Sequence, residues 1–412
     1  MGRKPFPAFV LRAAPLAAAL VLALLPTGRG GFALAETKLM VVSDLHYLAP
    51  ELYRGSDIFL RALRNGDGKI TQYGDELLSA LYRQILLEQP DALIVTGDLT
   101  FNGEKKSHAA LADWLGTVEA AGVPVWVIPG NHDINVSSPV GYAQGMYYGV
   151  EGVTPEEFSA LYADFLAAGE AGFSYAAHVS DEMWAVMTDV AWYQDKAETF
   201  GLFTARHAAW LEGELIKAQE AGVRVVTATH HSLLPHTDFA AENFLMFGHE
   251  SMETLAKQYG VPLNLSGHLH IQHIAQTDGL ADAALGAFCI WPHRYATVTL
   301  DDSRKLRYEA KALDEAFLPD GFLEESREWF AGITRDKTKA FLTGTDEESD
   351  RMADYAARFN LAYFSGTYRK DDPAWTDDPA YELWAGQTNS AFWRYMRLVM
   401  NEPTGDNLSW EE

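Results

Sequence analysis

The stretch Val123-Pro-Val-Trp-Val-Ile-Pro129 runs directly into Gly130-Asn-His-Asp133, and this passage decides the fold that we expect. A short apolar run rich in β-branched residues is typical of a buried parallel strand in an α/β sheet. Ligands of such sheets bind beyond the carboxyl ends of the strands, where this run presents an amide, an imidazole and a carboxylate. A single case is weak evidence, because Gly-Asn after a strand is usually only a turn.

The same arrangement, an apolar run followed by polar side chains, recurs along the chain. The other runs are residues 38–42, 92–95, 223–227 and 262–265. Because the carboxyl ends of parallel strands meet at one edge of a sheet, we expect the polar side chains to lie close together. These side chains belong to Asp44, His46, Asp98, Asn131, His132, His230, His268 and His270.

Between the runs, apolar residues recur at helical spacing, which predicts crossover helices and an α/β fold. The helices are expected over residues 74–89 and 204–222, and around residues 111–118 before Gly122. A capping box with proline at the first helical position predicts another helix from Pro155 to about residue 169. Short strands are expected over residues 183–187, 284–291 and 296–300, and Asp189 is expected at the surface or behind the ligands.

The side chains at the strand ends are suited to metal binding. Carboxylate, carboxamide and imidazole groups form a hard to borderline donor set without thiolate, which suits Mn, Fe or Zn. The donors exceed the needs of one ion, and a shared carboxylate makes a two-metal site with ions roughly 3.5–4 Å apart. We therefore expect two divalent or trivalent metal ions as cofactors.

The polar blocks, taken in order, resemble those of the calcineurin-like metallophosphoesterase superfamily over about residues 38–300. The blocks are Asp44-x-His46, Gly97-Asp98, Gly130-Asn131-His132-Asp133, His230 and Gly267-His268-x-His270. The resemblance implies a four-layer α/β/β/α sandwich, in which two central sheets are flanked by helices. It also implies that a metal-bridging hydroxide attacks phosphorus, so that no protein nucleophile is needed.

The resemblance implies a role for each matched residue. Asp98 would bridge both metals, and His132 would lie over the phosphate, stabilise developing charge and protonate the leaving oxygen. Asp133 would support the ligands, while His231 would either face the substrate or support its loop. The remaining ligands would be Asp44, His46 and His270 for one metal and Asn131, His230 and His268 for the other.

Departures from the pattern narrow the family. Phe101 stands where purple acid phosphatases carry tyrosine, and residues 97–103 lack the second Asp-Arg pair of protein phosphatases. The Gly-Asp-Leu-Thr block and the double His230-His231 look most like the class III cyclic nucleotide phosphodiesterase branch. That branch usually has proline where Ser232 stands.

We therefore expect a phosphodiesterase that acts on small phosphate esters, such as cyclic nucleotides or glycerophosphodiesters. A phosphomonoesterase or nucleotidase on the same scaffold is the alternative. A dianionic monoester calls for extra cationic groups, and Lys and Arg are scarce in the ligand loops, which favours the diester. A non-catalytic binding protein would be marked by lost ligand residues, and none of the blocks has lost one.

The first 35 residues have the layout of a secretory signal peptide. Arg3, Lys4 and Arg12 precede or begin an apolar stretch over residues 13–25, and residues 33–35 form a small-residue cleavage site. An uncleaved membrane anchor is the alternative, but the apolar stretch is short for a membrane span. We expect a secreted protein, extracellular or periplasmic, without a stable membrane anchor after cleavage.

Charge and cysteine content restrict the partners. The formal net charge is −25, which repels nucleic acid, so an anionic substrate needs a locally positive centre such as a metal. Cys289 is the only cysteine and lies in an apolar stretch, which indicates an inert buried thiol. The sequence does not indicate an oligomeric state.

The composition changes near residue 310, so we predict a metallophosphoesterase domain over residues 36–309 and a helical accessory region over residues 310–412. The accessory region carries no ligand motif, and a lid, a dimer surface or a cell-wall contact is open for it. Residues 65–70 resemble the middle of an EF-hand loop but lack its terminal ligands, so a surface turn is expected. His236 and His249 are the unmatched histidines that we expect nearest the pocket.

Overall fold

Two six-stranded sheets dominate the architecture. The computed structural model describes residues 36–412 apart from residues 144, 168–171, 240–243, 343–345 and 404, so the predicted signal peptide lies outside the described residues. The strands are β1 (Thr37–Val42), β2 (Ala92–Thr96), β3 (Val125–Ile128), β4 (Val140–Ala143), β5 (Met146–Gly149), β6 (Tyr175–His178), β7 (Met183–Met187), β8 (Arg224–Ala228), β9 (Leu263–Ser266), β10 (His273–Thr277), β11 (Leu280–Ala284), β12 (Arg294–Leu300), β13 (Leu306–Ala312) and β14 (Ser409–Glu411).

The helices flank the sheets or follow them near the C-terminus. They are α1 (Asp57–Arg64), α2 (Gly74–Glu88), α3 (Lys105–Ala120), α4 (Pro155–Leu161), α5 (Ala205–Ala221), α6 (His249–Gln258), α7 (Phe322–Lys339), α8 (Asp346–Phe364), α9 (Pro379–Ala385) and α10 (Ala391–Asn401). Among the described residues, no helix combines the length and the apolar character needed to cross a membrane.

The strand order places the predicted ligand strands side by side within each sheet. The first sheet has the order β14-β13-β12-β1-β2-β3 and the second β10-β11-β9-β8-β7-β6, while β4 and β5 form a separate hairpin. Strands β1, β2 and β3 are parallel, and so are β7, β8, β9 and β11. The carboxyl ends of β1, β2 and β3 therefore share one edge, as do those of β8 and β9.

Strand β1 shows how the sequence separates the layers. Leu39 and Val41 belong to the apolar cluster between the two sheets, whereas Met40 and Val42 face the cluster beneath helices α1 to α3. Helices α5 and α6 cover the outer face of the second sheet. The predicted four-layer α/β/β/α sandwich is confirmed, because successive residues of a buried strand point to opposite faces and both faces here are apolar.

Two predicted elements differ from the structure. Helix α4 ends at Leu161 rather than near residue 169, because residues 163–165 form a tighter helical turn that buries Phe165. The strand predicted over residues 284–291 is wrong, since β11 ends at Ala284. The apolar residues that follow are buried in a loop, where the Phe288 N–H donates to the Ser43 carbonyl at 3.0 Å.

The C-terminal region is joined to the first sheet. The boundary predicted between residues 309 and 310 falls inside β13, and β14 returns from the end of the chain to pair with it. Between these strands, helices α7 to α10 form the predicted helical region. Tyr355, Phe359 and Trp384 pack there against Leu269 and Ile271, which flank His270 in the sequence.

Candidate metal centre

The backbone at the strand ends adopts an unusual conformation. The left-handed region is costly for residues other than glycine, at about 1–3 kcal/mol each, and is found where the surrounding structure enforces it, often at functional sites. Here the positive φ angles belong to ligand-type residues: Asp44 (54°), His46 (41°), Asp98 (48°), His268 (65°) and His270 (59°). Their concentration after β1 and β2 of the first sheet and β9 of the second marks the place where these strand ends meet as a functional site.

Backbone hydrogen bonds hold the segments after β1 and β2 side by side. The Asp44 N–H donates to the Gly97 carbonyl at 3.1 Å, and the His46 N–H donates to the Asp98 carbonyl at 2.9 Å. The parallel pairing of the strands is thereby continued beyond the ladder. As a result, the Asp and His side chains of the first two blocks converge instead of spreading into solvent.

Glycine is required where the blocks approach each other most closely. A Cβ atom on Gly130 would overlap Oδ1 of Asp98, and one on Gly267 would overlap the Ser43 hydroxyl and the Asp44 carboxylate. These glycines let the backbone pass within contact distance of the carboxylates. The glycines of these two blocks therefore serve the geometry of the site.

The first cluster consists of Asp44, His46, Asp98 and His270. One ligand atom from each lies within 4.8 Å of the others. The Nε2 atoms of His46 and His270 are 3.0 Å apart, and Nε2 of His270 is 3.3 Å from Oδ1 of Asp44. Nε2 of His46 is 3.5 Å from Oδ2 of Asp98.

The second cluster shares Asp98 with the first and adds His230 and His268. Nε2 of His230 is 3.3 Å from Oδ1 of Asp98 and 3.2 Å from Oδ1 of Asn131. Nδ1 of His230 donates to the Thr96 carbonyl at 2.8 Å, which turns Nε2 toward the cluster. Each carboxylate oxygen of Asp98 thus faces a different cluster.

The charges in these clusters fit bound cations. Burial opposes a charge on the ring, yet Asp98 raises the pKa of His230 to about 9. Burial and Lys69 likewise oppose a charge on His270, but hydrogen bonds to Asp44 and Asp67 raise its pKa to about 9. The carboxylates therefore attract positive charge to buried imidazoles. Metal cations satisfy the same carboxylates and leave the rings in their neutral, ligating form, so the donor set fits two metals of the hard to borderline class.

His132 lies at the cluster without forming part of either group of ligands. Its backbone N–H donates to Oδ1 of Asp98 at 2.9 Å. Its Nδ1 lies 3.0 Å from the Phe101 carbonyl and 2.9 Å from Oδ1 of Asn102, both of which accept a hydrogen bond. Nδ1 therefore carries a proton, and Nε2 is left for the pocket that the residue lines.

Asp133 acts on the backbone of two blocks. Its carboxylate accepts hydrogen bonds from the N–H groups of Gly130 at 2.8 Å, Leu99 at 3.1 Å and Thr100 at 2.9 Å. The side chain is fully buried. Asp133 therefore fixes the loop after β3 against the loop after β2, the supporting position that was predicted for it.

His231 and Asp189 lie behind the cluster. His231 is buried, its Nε2 donates to the Thr199 carbonyl at 3.1 Å, and its ring packs 4.3 Å from that of His268. Asp189 is also buried and accepts hydrogen bonds from Tyr193 and the Ala191 N–H, so it is not at the surface. Of the two placements open for His231, this geometry is that of a loop support.

His236 and His249, the unmatched histidines that were expected nearest the pocket, make their contacts elsewhere. His236 contacts His273, with their Nδ1 atoms 3.0 Å apart, and its Nε2 is 3.2 Å from Asp282. His249 begins α6 and lies 3.4 Å from Glu250. Neither is among the described residues that line the pocket over the clusters.

That pocket has a volume of about 470 Å³, and much of its wall was missed by sequence analysis. Asp67, from the turn that was expected at the surface, accepts from Nδ1 of His270 at 3.0 Å and pairs with Lys69 at 2.8 Å. A truncated EF-hand pattern was the one signal for this turn. The accessory region adds Asn360, Phe364 and Tyr395 to the wall, and no sequence motif marks them.

Comparison with known proteins gives two family matches. Residues 37–272 match the model of the calcineurin-like phosphoesterases, and residues 321–406 match the C-terminal domain of cyclic nucleotide phosphodiesterase. A probable glycerophosphodiester phosphodiesterase GpdQ of Arcobacter nitrofigilis is 38% identical over 71 residues. This stretch covers 16% of the chain and only 25% of that relative.

Solved structures with a similar chain path include two metallophosphoesterase-type proteins. A dimetal phosphatase from Danio rerio is 15% identical, with a TM-score of 0.48 over 68% of this chain and 96% of the other. A proposed 5′-nucleotidase of Staphylococcus aureus is also 15% identical, with a TM-score of 0.44 over 72% of this chain and 58% of the other.

Proposed function

The chain belongs to the calcineurin-like phosphoesterase family, and from this premise we propose that it is a two-metal phosphodiesterase for small phosphate esters. One observation carries the proposal: two clusters of ligand-type side chains share Asp98 and adjoin one pocket that His132 also lines. This arrangement supports hydrolysis of a phosphate ester held between two cations.

The ligands divide between the two ions as follows. Asp98 would bridge the ions, since its two oxygens face different clusters. Asn131 would bind the second ion through the amide oxygen that lies beside His230. The remaining assignments follow the clusters, with Asp44, His46 and His270 on one ion and His230 and His268 on the other. Mn, Fe or Zn suits these donors.

The protein's own residues position and protonate the substrate. Two bound cations would neutralise phosphoryl oxygens and lower the pKa of a water molecule, which would supply the nucleophile. His132, held through Nδ1 by Phe101 and Asn102, directs Nε2 toward the phosphate. When Nε2 also carries a proton, the ring stabilises the developing charge and delivers that proton to the leaving oxygen. The Asp67 carboxylate orients His270 through Nδ1, as acceptors behind metal-binding histidines commonly do.

The charge of the pocket supports a diester substrate. Lys69 is the only lysine or arginine among the described residues that line the pocket, and its charge is offset by Asp67 at 2.8 Å. A monoester dianion calls for more uncompensated positive charge than a diester. The family match over residues 321–406 and the name of the GpdQ relative point in the same direction.

A phosphomonoesterase or nucleotidase remains the second candidate because of Lys69 itself. Oδ2 of Asp67 contacts both Lys69 and His270, and if the contact with Lys69 breaks when metals bind, the ammonium group is released toward the pocket. An additional phosphate charge is then neutralised there. The charge of Lys69 therefore decides whether the metal centre favours a phosphodiester or a phosphomonoester.

We also propose that the protein is exported. The support is the charged start, the apolar residues 13–25 and the small-residue site over residues 33–35. Peptide sequencing of the protein from the culture medium or periplasm should find an N-terminus near residue 36. A full-length chain that remains with the membrane would contradict export.

The test of function compares bis(p-nitrophenyl) phosphate with p-nitrophenyl phosphate, using protein reconstituted with Mn. We expect faster cleavage of the diester and a loss of at least about 10³-fold in Asp98→Asn, which weakens the shared bridge. Preference for the monoester would move the assignment to the second candidate. Cleavage of neither ester under Mn, Fe or Zn would contradict both.

A further inference from the structure

A second cavity, which we call the apolar chamber, adjoins the metal pocket. Its volume is about 760 Å³, and the C-terminal helices supply most of its wall. The chamber is defined by Phe330 and Ile333 of α7, Phe341, Trp384 of α9 and Phe392 of α10. Its size lies within the range of pockets that bind small molecules.

The chamber and the metal pocket share part of their walls. Asp67, Asn360, Phe364 and Tyr395 line both. Asp67 also contacts His270, so one residue of the shared wall touches the first cluster directly. A substrate whose phosphate lies at the clusters therefore has the chamber as a neighbouring space for the rest of the molecule.

Three of the polar side chains around the chamber are paired within the protein. The Tyr395 hydroxyl donates to Oδ1 of Asn360 at 3.0 Å, and the Lys337 ammonium donates to the Gly66 carbonyl at 2.6 Å. The Trp384 indole donates to the Met352 carbonyl at 3.0 Å. The Thr338 hydroxyl, which also lines the chamber, has no partner in the protein, and the surface offered to a ligand is otherwise mainly apolar.

The chamber is too large to be a packing irregularity. Protein interiors are close-packed, and an apolar cavity forfeits contacts on all sides. Phe341, which lines the chamber, is 84% exposed, and large exposed apolar side chains beside a cavity are typical of binding sites.

We propose that the apolar chamber binds the hydrocarbon part of an amphiphilic phosphodiester, whose phosphate lies in the metal pocket. The proposal rests on the phosphodiesterase function above and specifies its substrate class. Helices α7 to α10 then form a substrate-binding wall, a fourth possibility beside the lid, dimer surface and cell-wall contact considered from the sequence.

The test uses p-nitrophenyl alkyl phosphodiesters that differ only in the alkyl group, from methyl through hexyl to dodecyl, below their micelle concentrations. Each buried methylene should improve kcat/KM roughly fourfold, so burial of only two of the five additional methylenes should already make the hexyl ester at least about tenfold better than the methyl ester. The measured quantity is the ratio of kcat/KM for the two esters.

Two variants alter the chamber at exposed positions and so spare the core. Ala391 is the first residue of α10, and Ala391→Trp places a large side chain in the chamber. Phe341→Asp places a charge at the wall of the chamber. Both should bring the hexyl-to-methyl ratio close to one. Arg397→Trp, exposed on α10 and outside the described chamber lining, is the matched control and should keep the wild-type ratio.

A binding measurement separates the chamber from catalysis. In calorimetric titrations of the Mn-loaded protein, hexyl phosphate should bind at least about tenfold more tightly than methyl phosphate, with a negative heat-capacity change. Ala391→Trp should abolish the difference.

The outcomes distinguish the two proposals. Metal-dependent cleavage with no dependence on chain length, and equal binding of the two alkyl phosphates, would overturn the apolar chamber and leave the phosphodiesterase standing. Failure to cleave any diester would overturn the phosphodiesterase. Tight binding of hexyl phosphate in that case would retain the chamber as a hydrocarbon site.

Discussion

The edge formed by the strand ends and the wall formed by helices α7 to α10 border the same pocket, yet their sequences differ in kind. At the edge, each ligand is a particular residue type that follows a glycine or a strand closely in the sequence, as in Gly267-His268. In the wall, Phe364 and Tyr395 contribute aromatic surface that several other residues would also provide. Metal chemistry demands exact donors, whereas apolar contact demands bulk and shape.

This difference predicts how substitutions in the two regions should separate. Changes at the edge should alter the turnover number or the affinity for metal. Changes in the wall should alter substrate affinity or local stability and leave the metal content intact. The following predictions test that separation, beginning with the largest effect.

His132→Gln should lower kcat about 10²–10³-fold, because it removes the proton donor for the leaving oxygen. The loss should be larger for a diester with a poor leaving group than for one that releases p-nitrophenolate. Metal content measured by atomic emission should stay at the wild-type value. His178→Gln, at an exposed histidine of β6, is the control. An equal loss with both leaving groups would remove His132 from the proton transfer.

Asp67→Asn should weaken binding of the metal at His270 about 10–100-fold, since it replaces the carboxylate that orients this ring. Competition with a chelator of known affinity measures the change. Asp302→Asn, at an exposed turn, should leave the affinity unchanged. Unaltered metal affinity in Asp67→Asn would show that the turn lines the pocket, like the wall, and does not support a metal ligand.

The sequence predicted the edge far better than its surroundings. The short apolar strands that end in exact polar patterns predicted an α/β fold, and the four-layer sandwich was implied by the family resemblance of the five blocks. The Asp67 turn lies at the surface as predicted, but its contact with His270 was not predicted, because the fold brings the two residues together from 203 positions apart in the sequence. The strand expected over residues 284–291 failed for a similar reason, since an apolar run buried as a loop has the same composition as a buried strand.

The wall was not predicted from the sequence, because aromatic residues at helical spacing indicate that a helix is packed but do not indicate which part of the protein it packs against. Trp384 packs in the core and also lines the chamber, so one residue serves both purposes. Only the tertiary arrangement shows that Asn360 faces a cavity shared with the ligand loops.

Asn360→Ala should lower kcat/KM about five- to tenfold through a higher KM, because it removes the acceptor for the Tyr395 hydroxyl in the shared wall. Metal content should be unchanged. Asn401→Ala, exposed at the end of α10, controls for the substitution itself. Loss of metal in Asn360→Ala would contradict the claim that residues of the wall do not affect metal binding.

Glu402 should make the stability of the wall depend on pH. Burial raises the pKa of Glu402 to about 7, while burial and His236 lower the pKa of the neighbouring His273 to about 3, so that ring is neutral and does not pair with it. A carboxyl group with a raised folded-state pKa contributes stability that is complete below its unfolded pKa of about 4.5 and is lost as the pH rises through about 7.

Glu402→Gln should therefore remove about 1–3 kcal/mol of the decline in unfolding free energy between about pH 5 and pH 8. Urea denaturation of metal-free protein across this range measures the effect. Tyr363→Phe, which removes only the hydroxyl that donates to Glu402 at 3.0 Å, should retain most of the decline. If the unfolding free energy of Glu402→Gln depended on pH as strongly as that of the wild type, Glu402 would be charged over the whole range from about pH 5 to pH 8.

The sharing of Asp98 by two metal ions is tested most directly by anomalous diffraction from crystals grown with Mn. We expect two peaks roughly 3.5–4 Å apart, one beside Asp44, His46 and His270 and the other beside His230 and His268, with Asp98 between them. A single peak, or two peaks of which only one contacts Asp98, would contradict the shared centre from which the proposed function follows.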